Sequence, residues 1–455
     1  MNTDNYKNIK EYYKNNINPQ LYSAFKILGL DNLDYVSSKG MFINLQNGEK
    51  IYDFTSGLGV LNLGHNHPKI NEVEIKCIQR DTVDFLKIGV NKQQALLANY
   101  LTSLLPKKLN KAFFTASGGE AIEAALKIVM LNTKKRKFLT FNESYHGKTL
   151  GSLSVTNAEN YNDNFLIGLP RENILLAEFN SIESVGELIS QNSDIAAVII
   201  EPIQGQRIRV GDKKFLKDLI KICKANEIIT IFDEIKVGMG RTGHLFSFMD
   251  YGIEPDMVTI SKSLGGGSRA IGAMVTTNAL FKKAYGKRSN ASLHSTTFNG
   301  IGTTCEVARE SLNIISNDEF LQEVRNKGDY FFDELIKLKK EYPNKIKNIV
   351  GKGLFLGVEL IFPAEKIKNN FNNEIIKTRD QFFIATIING LYKKHNILSS
   401  FAPSAPEVLD ICPPLIIDFN DIDYFISSFR SILSKNYAQL GKDLMKNLIW
   451  VNNHS

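Results

Sequence analysis

Six short apolar runs recur through the middle of the chain, at residues 112–116, 138–142, 195–201, 228–234, 257–261 and 273–277. Several are rich in Val and Ile, and helical stretches separate them. Runs of this length bounded by polar residues read as buried strands, and regular strand–helix alternation implies a mostly parallel sheet covered on both faces. The expected fold class is therefore α/β. Sheets of this kind bind ligands outside the carboxyl ends of their strands, so the polar residues that end these runs are where function is expected.

From about residue 314 the rhythm shifts to longer helices with fewer strands, the strand candidates being 354–360 and 415–417. This predicts a smaller C-terminal α+β domain at 316–455, ending in an extra helix on which Leu440, Leu444 and Leu448 form one stripe. The large domain is placed at 61–315. Residues 1–60, with a helix over 6–13 and a hairpin around Asn47 and Gly48, are expected to pack on the small domain.

A chain of 455 residues with 43% hydrophobic and 23% charged residues has ordinary globular composition, which excludes a disordered, collagen-like or disulfide-scaffold protein. Its apolar runs are far shorter than the ~20 residues of a membrane span. The polar start of the chain carries no apolar signal region, so a cytoplasmic location is expected. A formal charge of +7 is a mild excess that could favour an anionic cofactor or substrate, but without a basic, aromatic-interleaved stripe it reads better as solvated surface, and nucleic-acid binding is not expected. The four cysteines are scattered and no His lies at metal-ligand spacing, so neither a disulfide nor a metal site is expected.

Three strand ends carry candidate chemistry. After Thr115 and Ala116, the small residues Ser117, Gly118 and Gly119 open an Ala-rich helix, whose free N–H groups and positive dipole end could hold a phosphate. Asp233 ends an apolar strand, where a carboxylate needs a cationic partner; the alternative is a cap on the following helix. Lys262 follows a buried strand and precedes Gly265, Gly266 and Gly267, a place where an amine held in a cleft can form an imine or move a proton. Together these are the needs of pyridoxal phosphate: an anchored phosphate, a protonated ring nitrogen and an aldehyde held by an amine.

From residue 51 to about 434 the chain resembles the class III, ornithine/4-aminobutyrate-type aminotransferases of the fold-type I pyridoxal phosphate enzymes. The resemblance is carried, in order, by Tyr52-Asp53-Phe54, Gly64-His65-Asn66-His67-Pro68, Ser117-Gly118-Gly119-Glu120-Ala121 and Tyr145-His146-Gly147-Lys148-Thr149. It continues with Glu201-Pro202-Ile203-Gln204-Gly205, Asp233-Glu234, Gly240-Arg241-Thr242-Gly243, Lys262, Thr296-Thr297-Phe298 and Pro413-Pro414-Leu415. It implies that Lys262 is the imine-forming lysine and proton shuttle, and that Asp233 pairs with the ring nitrogen of pyridoxal 5'-phosphate. Gly118 and Gly119, with Ser117 nearby, would bind the phosphate, and Tyr145 would stack on the ring. Thr297 would reach the phosphate of the partner subunit in a homodimer.

Four departures bear on the substrate. Lys236 replaces a glutamine that approaches the cofactor's phenolic oxygen, where an ammonium would favour the phenolate; the alternative is a lysine turned out to solvent. Gln206 replaces a glutamate, and Asp410 replaces the arginine that binds a substrate carboxylate. Asp410 would repel a carboxylate and attract an amine, with Arg207 or Arg209 as candidates for the missing guanidinium. Asn299-Gly300-Ile301-Gly302 departs from the loop expected after Phe298. The leading expectation is amino transfer between a primary amine (ω-amino, diamine or amino-acid type) and an aldehyde or oxo acid. The alternatives are racemisation, an amino shift or elimination on the same cofactor, and a non-catalytic binding subunit.

Overall fold

The computed structural model describes residues 3–158, 161, 165–362, 373–436 and 439–442. A seven-stranded sheet runs in the order Leu109–Thr115, Gly272–Thr277, Met257–Ile260, Ile229–Asp233, Ile195–Ile200, Lys137–Phe141, Ile174–Ala177. Gly272–Thr277 is antiparallel to both its neighbours and every other pairing is parallel, so the sheet is α/β as expected. All six residues of Ile195–Ile200 are buried, as a central strand covered on both faces requires. The six expected strands form within a few residues of their predicted ends. The short edge strand Ile174–Ala177 has no counterpart in the sequence reading.

The covering helices follow from their sequences. Gly118–Asn132 is capped at its start by the Ser117 hydroxyl, which accepts the Glu120 N–H, and buries Ala121, Ile122, Ala125 and Val129 along one face. Lys213–Ala225 buries Phe215, Leu216, Leu219 and Cys223 and leaves its lysines outside.

A second, antiparallel sheet is formed by Ile346–Lys352, Phe355–Leu360, Ala405–Ile411 and Ser400–Ala402, packed with the helices Asp318–Glu341 and Phe419–Leu433. The strand expected at 415–417 is instead a turn. Pro413 and Pro414 have no N–H for a ladder, Leu415 N donates to Asn62 O at 2.8 Å, and Ile417 N closes back on Pro414 O. The strand of this region is Ala405–Ile411.

Near the start of the chain, the helix Thr3–Asn16 contains the predicted 6–13 stretch. Phe42–Leu45 and Lys50–Asp53 form the predicted hairpin, with Gly48 at φ +85 in its turn. Lys50–Asp53 pairs in parallel with Ile397–Leu398, and Met41 and Phe54 share a core with Phe331, Leu356 and Phe425. Leu440 is buried in that same core, while Leu444 and Leu448 lie outside the described residues. Arg241, wholly buried, ties these parts together: it donates to Leu354 O at 3.1 Å, to Ser56 Oγ at 3.1 Å, and to Pro413 O and Asn62 Oδ1. No described helix is long and apolar enough to cross a membrane.

Candidate active site

The parallel strands deliver their carboxyl ends to one cavity of about 620 Å³. Ser117, Gly118 and Gly119 enter from the end of Leu109–Thr115, Tyr145 from beyond Lys137–Phe141, and Glu201 from the end of Ile195–Ile200. Asp233 ends Ile229–Asp233, and Lys262 follows Met257–Ile260. Phe401, Ala402, Pro403 and Asp410 close the opposite wall from the small sheet, joined by Gln206 and Lys236. Of the candidate site residues named from sequence, Thr297, Arg207 and Arg209 do not line this cavity within one chain; Thr297 sits on an exposed turn. A smaller recess of about 430 Å³ bounded by Asn32, Asp34, Asn47 and Lys393 gathers none of them.

Asp233 is 4% exposed and is paired, as a buried carboxylate must be. Its Oδ2 lies 2.8 Å from His146 Nδ1, and its Oδ1 accepts from Ile235 N at 3.0 Å and Thr259 Oγ1 at 3.3 Å. His146 is itself buried, and its Nε2 has no partner among the described residues. The sequence reading required a partner for Asp233 without finding it, although His146 stands beside Tyr145 in a motif already singled out. Glu201 is a second residue not assigned a role from sequence. Its carboxylate accepts from Tyr145 N at 2.9 Å and Gly205 N at 2.8 Å, and burial pushes its pKa up to about 7.

Lys262 has φ +48, a left-handed backbone rare for a side chain of its size, imposed by the tight turn before the glycines. Burial lowers its ammonium pKa to about 8, and the nearby Lys236 ammonium adds to the effect. Its amine has no hydrogen-bond or ion-pair partner among the described residues. An unpartnered amine facing a cavity, with its pKa lowered so that more of it is neutral than in an ordinary lysine, is a candidate nucleophile.

The surroundings fit pyridoxal phosphate. The N-terminus of Gly118–Asn132 offers unpaired N–H groups, and a Cβ on Gly118 would come within 2.9 Å of the Ile235 side chain, so the cradle closes tightly only around glycine. A Cβ on Gly147 would meet Ser152 Oγ at 2.5 Å, and Gly147 has φ +128. The Tyr145 ring borders the same space, edge-on to Tyr161 at 5.5 Å, with its hydroxyl pushed up to about 12, chiefly by burial.

The substituted positions form a group of their own. Lys236 turns inward rather than out to solvent: its Nζ donates to Gly205 O at 2.8 Å and to Asp410 Oδ2 at 2.9 Å, over the Phe355 ring. Gln206 Oε1 accepts from Ser404 Oγ at 3.1 Å. Arg207 is held by Glu143 and Glu407, Arg209 by Glu143, and neither lines the cavity. They do not replace the missing guanidinium.

Comparison with known proteins agrees with this geometry. A profile of the family described as Aminotransferase class-III matches residues 29–433. The chain is 32% identical to the acetylornithine aminotransferase of Bacillus anthracis, over 91% of this chain and 98% of that protein. It is 30% identical to the aminotransferase PigE of a Serratia species over 92% of its own length, and spans about half of that longer protein, 52%. A transaminase from the marine bacterium Virgibacillus has the same fold, with a TM-score of 0.78 at 23% identity, covering 90% of this chain and 94% of that one. The chain belongs to the class III aminotransferases, fold-type I enzymes that move amino groups with pyridoxal 5'-phosphate.

Proposed function

We propose that this protein transfers an amino group from a primary amine of ω-amino, diamine or amino-acid type to an aldehyde or oxo acid, with Lys262 as the reacting amine and general base. The observation that carries the reading is the convergence of an unpartnered Lys262 amine, a buried Asp233 and the Ser117-capped helix start on one cavity. When bound, pyridoxal phosphate supplies an aldehyde that takes up amines and a protonated ring that stabilises negative charge at the neighbouring carbon. Asp233, backed by His146, holds the proton on the ring nitrogen. Gly118 and Gly119 bind the phosphate through backbone N–H groups, with the Ser117 hydroxyl beside them. Tyr145 covers one face of the ring. Lys262 Nζ, half neutral at about pH 8, would take the proton from the substrate carbon and return it to the other carbon of the transfer.

The active unit is a homodimer in which Thr297 reaches the partner's phosphate. Lys87 Nζ donates to Thr296 O and Asn299 O, both at 2.9 Å, which ties the Thr297 turn to the segment around residue 87. That segment exposes Val83, Phe85, Ile88 and Val90, and Phe298 is exposed against Phe85. A contiguous apolar surface of this kind marks a protein contact. A cytoplasmic location accords with four buried, free thiols. The division at residues 60 and 315 accords with the separate cores of the seven-stranded sheet and the small antiparallel sheet. No observation favours racemisation, an amino shift, elimination or a non-catalytic role.

The test is the visible absorbance of the purified protein with pyridoxal phosphate, followed by addition of amines one at a time. Loss of the visible band on adding an amine, and its return on adding an aldehyde or oxo acid, are expected. A band that no amine alters would overturn the reading.

A further inference from the structure

Three lysines and three carboxylates line the cavity, and most of this charge is already committed. Lys262 is the reacting amine, Asp233 faces His146, and burial raises the Glu201 pKa to about 7 while Tyr145 N and Gly205 N donate to its carboxylate. Lys148 lies at the mouth, with its Nζ 4.4 Å above the centre of the Tyr161 ring. The remaining two, Lys236 and Asp410, cancel each other at 2.9 Å. Among the described residues, the wall closed by the small sheet therefore offers no unpaired cation for a carboxylate, and Lys148 is the one lining cation besides Lys262 that no carboxylate holds.

It does offer an acceptor. Asp410 lines the cavity and is 6% exposed, and while its Oδ2 takes Lys236, its Oδ1 is buried with no hydrogen-bond partner among the described residues. An enclosed carboxylate oxygen without a donor is costly, and a ligand that brings an N–H or O–H relieves that cost on binding. The position of Lys236 is built in rather than incidental. A Cβ on Gly205 would come within 3.0 Å of Lys236 Cδ, so the glycine leaves room for the lysine to lie on its carbonyl.

Resting on the amino-transfer reading above, we infer that Asp410 is a specificity-determining residue, which selects amines whose far end carries a hydrogen-bond donor and disfavours those ending in a carboxylate. Both a second ammonium and a hydroxyl have this chemistry.

The test compares putrescine, aminobutanol, butylamine and γ-aminobutyrate, which share one chain length, as donors to the holoenzyme by the rate at which each removes the visible band. Their dissociation constants are also measured by calorimetry on the Lys262→Ala protein, which reads recognition without turnover. Putrescine and aminobutanol are expected to exceed butylamine by about tenfold, the effect of one hydrogen bond to a charged group, with γ-aminobutyrate poorest. In Asp410→Asn this advantage falls and γ-aminobutyrate gains on putrescine, because Lys236 is left unpaired. In Lys236→Gln the uncompensated carboxylate raises putrescine over aminobutanol, and this arm separates an ammonium from a hydroxyl. Should a single variant not fold, Lys236→Met combined with Asp410→Leu leaves no unpaired charge, and butylamine becomes the best of the four. The inference is overturned if the wild-type protein prefers γ-aminobutyrate, treats all four alike, or keeps its ratios in Asp410→Asn and in the double variant. If no amine of any class removes the band, the amino-transfer reading itself fails and takes this one with it.

Discussion

The two ends of the cavity are built on different terms. At the floor, Asp233, Lys262 and the start of Gly118–Asn132 are fixed by the strand ends of a buried sheet, and on the proposed reading they hold the cofactor. At the far wall, Lys236 and Asp410 hold an ion pair between the large-sheet side and the small sheet. On the proposed reading, the floor carries the transfer chemistry and the wall selects among amines. Changes at the floor should therefore remove activity with every amine, while changes at the wall should reorder amines and leave the cofactor in place.

The largest effect is expected from Lys262→Ala, which loses the nucleophile and the general base together. Turnover should fall by about 10⁴-fold or more, the upper range for a general base alone, as measured with the best amine found. Asp233→Ala comes next. It removes a buried, preorganised charge and leaves His146 Nδ1 without its partner, so a fall of about 10²–10³-fold is expected with all amines alike. A fall confined to one amine class would blur the division between floor and wall.

The pH dependence of cofactor loading sharpens the same division. Only the neutral amine attacks an aldehyde, and the Lys262 ammonium pKa is lowered to about 8. The loading rate should rise through pH 8 and level off above it. At pH 7 it should be about a tenth of the plateau, since each unit below the pKa costs a factor of ten in neutral amine. An ordinary lysine would still be rising at pH 10. Stopped-flow absorbance after mixing cofactor-free protein with pyridoxal phosphate reads the inflection directly. The smallest effect is expected from Gly118→Ala. Its Cβ crowds Ile235 at 2.9 Å, which should destabilise the protein by about 1–3 kcal/mol in a denaturant titration and weaken phosphate binding.

How much of this was legible in the sequence divides along the same line. The α/β fold follows from six apolar runs, and the floor residues follow from the rule that such sheets bind at their strand ends. The need for a partner to Asp233 was legible too. The partner, His146, was not, because an 87-residue gap separates them and only folding shows that they meet. The wall was least legible. Lys236 and Asp410 lie 174 residues apart and read as two unrelated substitutions, whereas in space they are one ion pair. The small sheet was misread for a local reason. The apolar stretch at 415–417 looks like a strand but follows two prolines, while the true strand, Ala405–Ile411, carries Pro406, Glu407 and Asp410 and looks like a loop.

The account's central claim is that Lys262, and neither Lys236 nor Lys148, is the amine that joins the cofactor. Borohydride reduction of the pyridoxal phosphate-loaded protein, followed by peptide mass spectrometry, places the label on one residue. The label is expected on Lys262 alone and is expected to disappear in Lys262→Ala. A label on Lys236 or Lys148 in the wild-type protein, or none on any lysine of this cavity, would contradict the account.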